Sequence, residues 1–242
     1  MADQVILSAT GLTKRFGAIT VVDDVSFDVH HREVLGVLGP NGAGKTTLFN
    51  LISGDLAANG GALSLDGVPL GTEPPYMRCK RGIGRTYQVP QPFGAMTAFE
   101  NLLVPAMFGA ELPVAEAHDF CAEILEDCGL LPRANLQAGS LTLLDRKRLE
   151  MARALAGRPK LLLLDEIAGG LTDAEGAELV QLVARVRDRG VTVIWIEHVL
   201  HALMAVADRV MVLNFGVKIA EDTPKAVMAN PEVQRVYMGI EG

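Results

Sequence analysis

Gly39-Pro40-Asn41-Gly42-Ala43-Gly44-Lys45-Thr46-Thr47 decides how this chain is read. It fits G-x-x-x-x-G-K-[ST], the pattern of a loop that cradles phosphate groups. The flanks supply the context the pattern requires. Val34 to Leu38 is a short apolar run suited to a strand buried on both faces. Thr46 to Ser53 reads as a helix, with Gly54 placed to end it. Glycines let the backbone bend back, so that successive N–H groups approach phosphate oxygens. The helix behind the loop adds about half a positive charge at its N-terminus. Lys45 supplies a full charge for β and γ phosphates, and Thr46 offers a hydroxyl to Mg2+. The competing reading is an ordinary glycine-rich turn, and both flanks argue against it.

The chain has 242 residues, enough for one large domain or two small ones and for a sizeable core. Hydrophobic residues make up 49% and charged residues 21%, which excludes a disordered chain. A net charge of −7 argues against nucleic acid as the main partner. Cys79, Cys121 and Cys128 have no C-x-x-C spacing and read as free thiols in a reducing compartment, not as a zinc site. Met1-Ala2-Asp3-Gln4 carries no secretion signal. No apolar run approaches the roughly 20 residues that span a bilayer. If the protein acts at a membrane, other chains are expected to cross it.

Taken in order, Val5-Ile6-Leu7 reads as a short strand, and Val25, Phe27 and Val29 alternate with polar neighbours as in a half-buried strand. Leu63 and Leu65 alternate likewise, and Asp66-Gly67 is a turn signal. These segments predict an antiparallel layer beside the nucleotide core. Phe16 sits ahead of that layer; by itself it reads as a core residue, with stacking on a purine as the alternative. Gly82 to Gln88, followed by Val89-Pro90-Gln91-Pro92, reads as the exit into another subdomain. Arg78, Lys80, Arg81 and Arg85 nearby read as a solvated basic face. Ala98 to about Ala156 is mainly helical, with Pro113 opening a helix that ends at Gly129 and a core stripe of Ala117, Phe120, Ile124 and Cys128. A further helix spans Arg146 to Ala156.

The chain then returns to buried strands. Leu161 to Leu164 ends in Asp165-Glu166, and Val191 to Ile196 ends in Glu197-His198. Between them, Thr172 and Glu175 have capping-box spacing, so a helix starts near Asp173 and stops before Gly190. Val210 to Leu213 and Val217 to Ile219 form a hairpin around Asn214-Phe215-Gly216. Thr223-Pro224 and Asn230-Pro231 open two last helices.

A phosphate loop plus a second strand ending in Asp-Glu predicts an NTPase, not a passive phosphate site. Asp165 stands where such enzymes hold Mg2+, directly or through water. Glu166 is placed to orient or deprotonate an attacking water. The plainer alternative is a pair of carboxylates at a strand edge. His198 could sense the γ-phosphate or serve as a structural hydrogen-bonder, and Gln88 could bridge Mg2+ and water or simply lie in a loop.

Together these residues resemble the ATP-binding-cassette (ABC) ATPases over almost the whole chain. Gly39 to Thr46 matches the Walker A loop, Leu161 to Glu166 the Walker B strand with its catalytic glutamate, and Gln88 the Q-loop. Leu171-Thr172-Asp173 lies at the D-loop, His198 matches the switch histidine, and Phe16 falls at the base-stacking aromatic. The resemblance implies an α/β P-loop NTPase with a RecA-like core, an antiparallel β subdomain and a helical subdomain. Residues 1–89 and 157–242 would form the core with its β layer, and 90–156 the helical subdomain. It implies ATP and Mg2+, with Gly39, Pro40, Asn41, Gly42, Ala43, Gly44, Lys45, Thr46, Thr47, Gln88, Phe16 and Thr142 binding nucleotide. Thr46, Gln88 and Asp165 would hold the metal, and Glu166, His198 and Lys45 would be catalytic.

Within the family the chain is most similar to the ATPase subunits of branched-chain amino-acid importers, through Arg85 to Gln88, Phe93 to Leu102, and the ending Asn230 to Gly239. Such a subunit would sit at the cytoplasmic face of the inner membrane. It would pair with a second ATPase and transmembrane permease subunits, and serve a solute-binding protein indirectly. The signature segment departs from the family's L-S-G-G-Q: it reads Leu141-Thr142-Leu143-Leu144-Asp145. Thr142 keeps a hydroxyl for the partner's γ-phosphate. Leu143 and Leu144 replace glycines that allow close backbone approach, and Asp145 is expected to add negative charge near that anion. Ile167 stands where the family usually has Pro. Two competing classes are a soluble ABC ATPase acting on DNA or ribosomes and a nucleotide-dependent regulatory module without turnover. The first would ordinarily carry coiled coils or two cassettes; intact Glu166 and His198 speak against the second.

Overall fold

The structure, a computed structural model, describes residues 4–238, so the readings at Met1–Asp3 and Gly239 lie outside the described residues. A six-stranded sheet positions the site. Its strands are β3 (Val34–Leu38), β6 (Ile83–Arg85), β7 (Leu161–Asp165), β8 (Thr192–Ile196), β9 (Arg209–Asn214) and β10 (Val217–Asp222), in the order β10-β9-β3-β8-β7-β6. All neighbours pair in parallel except the β9–β10 hairpin. Every residue of β3, β7 and β8 is buried. The reason is that both faces of the sheet are covered. Val193, Trp195, Leu162 and Leu164 face one cluster with the helices, while Ile194, Ile196, Leu161 and Leu163 face another with the antiparallel layer. Strands packed on both sides need apolar residues at every position, which erases the period-two pattern.

The antiparallel layer has the order β2-β1-β4-β5, from β1 (Val5–Phe16), β2 (Ile19–His30), β4 (Gly60–Leu65) and β5 (Val68–Pro69). The strand read from Val5-Ile6-Leu7 runs on to Phe16. Register shifts along its pairing with β2, and Gly11 at φ 61°, interrupt the alternation that would have revealed its length. The Asp66-Gly67 turn forms as read, with both residues at positive φ.

Helix α1 (Lys45–Ser53) follows β3 and ends at Gly54 in the left-handed conformation. Helix α2 (Pro75–Lys80) precedes β6. Between β6 and β7 the chain runs through α3 (Ala98–Phe108), α4 (Val114–Asp127), two short 3-10 turns and α5 (Leu143–Ala156). Ala117, Ile124 and Cys128 are buried, with Phe120 half-buried against them. Helix α5 starts three residues earlier than read, because Thr142 caps it. Helix α6 (Asp173–Asp188) opens on the full Thr172–Glu175 capping box. A five-residue helix, α7 (Leu200–Met204), stands after His198, and α8 (Pro224–Ala229) and α9 (Pro231–Met238) complete the described chain.

The basic cluster is a solvated face only in part: Lys80 is exposed and Arg81 partly so, but Arg78 and Arg85 are not. Arg78 is 3% exposed and donates to the carbonyls of Leu51, Ile52 and Gly71, two of them in the last turn of α1. A cation there meets unpaired helix carbonyls and the negative end of the helix dipole. Arg85 is also withdrawn from solvent, at the site itself.

Candidate active site

The C-terminal ends of β3, β7 and β8 bring the glycine loop, Asp165-Glu166 and His198 to one edge of the sheet. This is the edge where open α/β sheets form ligand crevices. The loop from Gly39 to Gly44 turns through positive φ at Gly42 and Gly44. A Cβ on Gly44 would lie 2.5 Å from the carbonyl oxygen of Val21, so only glycine fits where β2 crosses the loop. A Cβ on Gly42 would meet nothing within 4 Å; the backbone turns there beside open space. Helix α1 has Gly44 as its N-cap, with no side-chain cap and no acidic residue in its first turn. Its leading N–H groups therefore suit an anion.

Lys45 is buried, and its Nζ donates to the carbonyls of Gly39 (2.7 Å) and Pro40 (3.1 Å). Burial lowers its pKa, while Glu166 and then Asp165 raise it. Asp165 ends β7 and is 4% exposed; burial pushes its carboxyl up, against the pull of Arg85. Glu166 follows at φ 48°, a conformation uncommon for a non-glycine residue. Its two oxygens are both engaged: Gln88 Nε2 donates to Oε2 at 2.5 Å, and His198 Nε2 contacts Oε1. Gln88, Glu166 and His198, from three separate segments, thus meet at one carboxylate.

Among the described residues no cluster of three or more His, Cys, Asp or Glu could hold a metal alone. Thr46 and Gln88 are exposed, and Asp165 lies at the neighbouring strand end. One carboxylate with neutral oxygens fits Mg2+, which keeps water and phosphate ligands in place of a protein cage. Phe16 is 47% exposed at the end of β1, so it is no core residue; Lys14 Nζ lies 5.2 Å from its ring. Thr142 lies at the N-terminus of α5, where its hydroxyl accepts from the N–H of Asp145 and donates to Asp145 Oδ2. Asp145 corrects the expectation of an outward negative charge. It is 3% exposed and paired with Arg133 (3.1 Å) and Arg148 (3.7 Å).

The sequence reading missed Arg85. Its guanidinium donates to Asn50 (2.7 Å), Ser53 (2.8 Å) and Asp55 (2.9 Å) and lies 3.5 Å from Asp165. It stacks near the rings of Phe49 and Tyr87. Arg85 also lines a groove of about 410 Å3 between β6, α2, α3 and α5, with Tyr76, Tyr87, Phe93, Val104 and Phe108. Tyr76 and Phe108 are 66% and 69% exposed. The only sequence cue was a basic residue three positions before Gln88.

Comparison with known proteins adds to this geometry. The family pattern described as ABC transporter matches residues 22–169, and that described as branched-chain amino acid ATP-binding cassette transporter matches 217–242. The chain is 38% identical to the high-affinity branched-chain amino acid transport ATP-binding protein BraF of Pseudomonas aeruginosa, covering 97% of this chain and 98% of that one. It is 38% identical to LivG of Escherichia coli, which carries the same description, with 98% of each chain covered. Among solved structures it is similar to a nucleotide-free ATP-binding cassette from an ABC transporter, at 30% identity and a TM-score of 0.89, covering 98% of this chain and all of the other. The ADP conformation of the cassette MJ1267 gives 31% identity and a TM-score of 0.89, covering 98% and 99%.

Proposed function

This chain belongs to the ATP-binding subunits of ABC transporters, and we propose that it energises an importer of branched-chain amino acids or related small solutes. The family's members are nucleotide-binding ATPases coupled to transport, and this chain is one of them. The observation that carries the assignment of hydrolysis to this edge of the sheet is the Glu166 carboxylate, held by Gln88 and His198 beside the glycine loop.

ATP is the substrate. The amides from Gly39 to Thr47 and the Lys45 ammonium bind its phosphates, and Phe16 stacks on the base. Thr46, Gln88 and Asp165 would hold Mg2+, which supplies charge neutralisation at the phosphate oxygens. Glu166 orients or deprotonates the attacking water, and His198 holds Glu166 in place and senses the γ-phosphate. The solute class is supported by the likeness to BraF and LivG. No helix of the described chain is long and apolar enough to cross a membrane, so permease subunits would do so, with this chain at the cytoplasmic face. The aromatic groove beside Arg85 would receive a short helix of such a subunit.

In the family, ATP lies between two ATPase subunits, each facing the signature of the other. Leu143 and Leu144 keep this chain's signature backbone away from a phosphate, so we place it opposite a different ATPase with an ordinary signature. The site completed by this chain's Lys45 and Glu166 then hydrolyses ATP, and the site facing Thr142 is the weaker one. The test is ATPase activity of the intact transporter carrying Glu166→Gln in this subunit. Loss of most turnover with nucleotide still bound is expected; undiminished turnover would overturn the assignment. Full transporter-level activity from a purified homodimer would overturn the asymmetric pairing.

A further inference from the structure

The peptide group joining Ile167 to Ala168 is gripped at both ends by buried charged side chains. On one side, Lys147 Nζ donates to the Ile167 carbonyl at 2.7 Å. On the other, the Ala168 N–H donates to Glu197 Oε1 at 2.7 Å. Both are the same planar unit, so an ammonium and a carboxylate pull along one peptide dipole. Lys147 is 4% exposed and Glu197 1% exposed, so water does not screen either contact. The second oxygen of Glu197 accepts from the N–H groups of His198 (2.8 Å) and Val199 (3.2 Å).

Three elements converge on this unit. Lys147 comes from the second turn of α5, the helix that Thr142 opens. The gripped peptide lies one residue beyond Glu166, on the far side of Ile167, and the Glu166 φ of 48° requires its neighbours to hold it. Glu197 ends the buried run of β8 and directly precedes His198. One carboxylate therefore fixes the backbone behind both side chains that meet at the site. Burial lowers the Lys147 pKa, and Glu197 and then Glu166 are the charges that hold it up.

We propose that Lys147 and Glu197 are positioning residues that set Glu166 against His198 and tie that setting to the position of helix α5. The inference rests on the reading of Glu166 and His198 as catalytic. When α5 moves relative to the sheet, Lys147 carries the Ile167 carbonyl with it, and the backbone of Glu166 follows. The γ-phosphate-facing pair is thereby assembled only for certain placements of the helical segment. Neither residue is among those proposed to bind nucleotide, and the hydrogen bonds of both go to backbone groups. Their effect belongs to the rate and not to substrate affinity.

The test uses the intact transporter with Glu197→Gln, Lys147→Met, Lys147→Arg and the double variant Glu197→Gln/Lys147→Met, beside Glu166→Gln. Glu197→Gln keeps the size but leaves one oxygen for donors that now use two. Displacing an aligned group costs up to about 10²-fold in rate. A kcat loss approaching that size is expected for Glu197→Gln and Lys147→Met, with KM for ATP within about threefold of the parent. Lys147→Arg should restore most of the rate lost in Lys147→Met. The double variant should be no slower than the worse single, because both residues hold one peptide. Amide exchange at Ala168 and His198 should accelerate in Glu197→Gln, a readout that needs no turnover. Unchanged kcat, parallel loss of kcat and ATP affinity, multiplicative losses in the double variant, or unchanged exchange would each overturn the proposal. If Glu166→Gln abolishes turnover while Glu197→Gln does not, the positioning role falls and the catalytic reading stands. Full turnover in Glu166→Gln removes both.

Discussion

Helices α1 and α5 both begin at segments read from the sequence as phosphate-facing, yet their first turns are built in opposite ways. Helix α1 is preceded by Gly44, has no side-chain cap and carries no acid in its first turn. Helix α5 is capped by Thr142, whose hydroxyl takes the N–H of Asp145 while the Asp145 carboxylate takes the hydroxyl proton. The first start leaves its positive end for a ligand; the second satisfies itself with its own residues. A helix N-terminus is thus an anion site only where the sequence declines to cap it. The contrast also supports the unequal roles proposed for the two ends in a paired ATPase.

The sharpest way to break the contrast is at Glu166, which follows β7 beside the loop of the open start. Glu166→Gln should lower kcat by about 10²–10⁴-fold, the usual worth of a general base, with nucleotide affinity retained. A variant of Asp145, the acid at the closed start, should show no such split between rate and binding. If single-turnover ATPase measurements gave similar losses for both, the two starts would not differ in function.

Arg85 tests whether the open site depends on the groove behind it. Arg85→Met strands Asp55 and Asp165, two carboxylates that share one guanidinium. Breaking a buried pair on one side costs about 3–5 kcal/mol, and because Asp55 is partly exposed the lower end is expected in chemical denaturation. The pH dependence has a definite sign. Burial already pushes the Asp165 carboxyl up, and Arg85 is the main influence pulling it down. Without Arg85 its pKa rises further, so more of it is protonated as pH falls. The Mg2+ concentration for half-maximal ATPase should then increase, more on the acidic side of neutrality than on the alkaline side.

Much of this was legible, and the remainder failed for identifiable reasons. The glycine loop, the buried runs of β3 and β7 and the Thr172–Glu175 box each depend on neighbours in sequence, so local pattern was enough. Strand β6 was read as an exit from the core because its three residues include Gly84 and end in Arg85. Its pairing with β7 is a tertiary fact. Arg78 and Arg85 looked solvated because a sequence shows charge but not the helix carbonyls or carboxylates that await it. Asp145 was expected outside for the same reason, since Arg133 lies a full turn and loop away. Lys147 and Glu197 stand next to motif positions, yet neither spacing nor period reveals that they meet across one peptide.

Gly44→Ala asks whether the open start needs its glycine for shape alone. The residue lies at φ 98°, and a Cβ would come within 2.5 Å of the Val21 carbonyl. Strain of this kind costs about 1–3 kcal/mol, so thermal denaturation should show a clear loss even without nucleotide. Gly42→Ala has open space at φ 80° and should lose less. Equal losses would mean that β2 yields to the new methyl group.

The smallest effect is expected at the closed start. Thr142→Ala removes both hydrogen bonds of the hydroxyl but leaves Asp145 between Arg133 and Arg148. Loss of a Thr cap costs about 1 kcal/mol. For a chain of this size that corresponds to a melting temperature lower by about 2–4 °C. Thr142→Ser keeps the hydroxyl and should recover most of the difference. Nucleotide binding by the isolated chain should not change, because Thr142 would meet only the nucleotide held by a paired subunit. An isolated chain that lost affinity with Thr142→Ala would show the two helix starts serving one site, and the contrast between them would fail at the point where it is weakest.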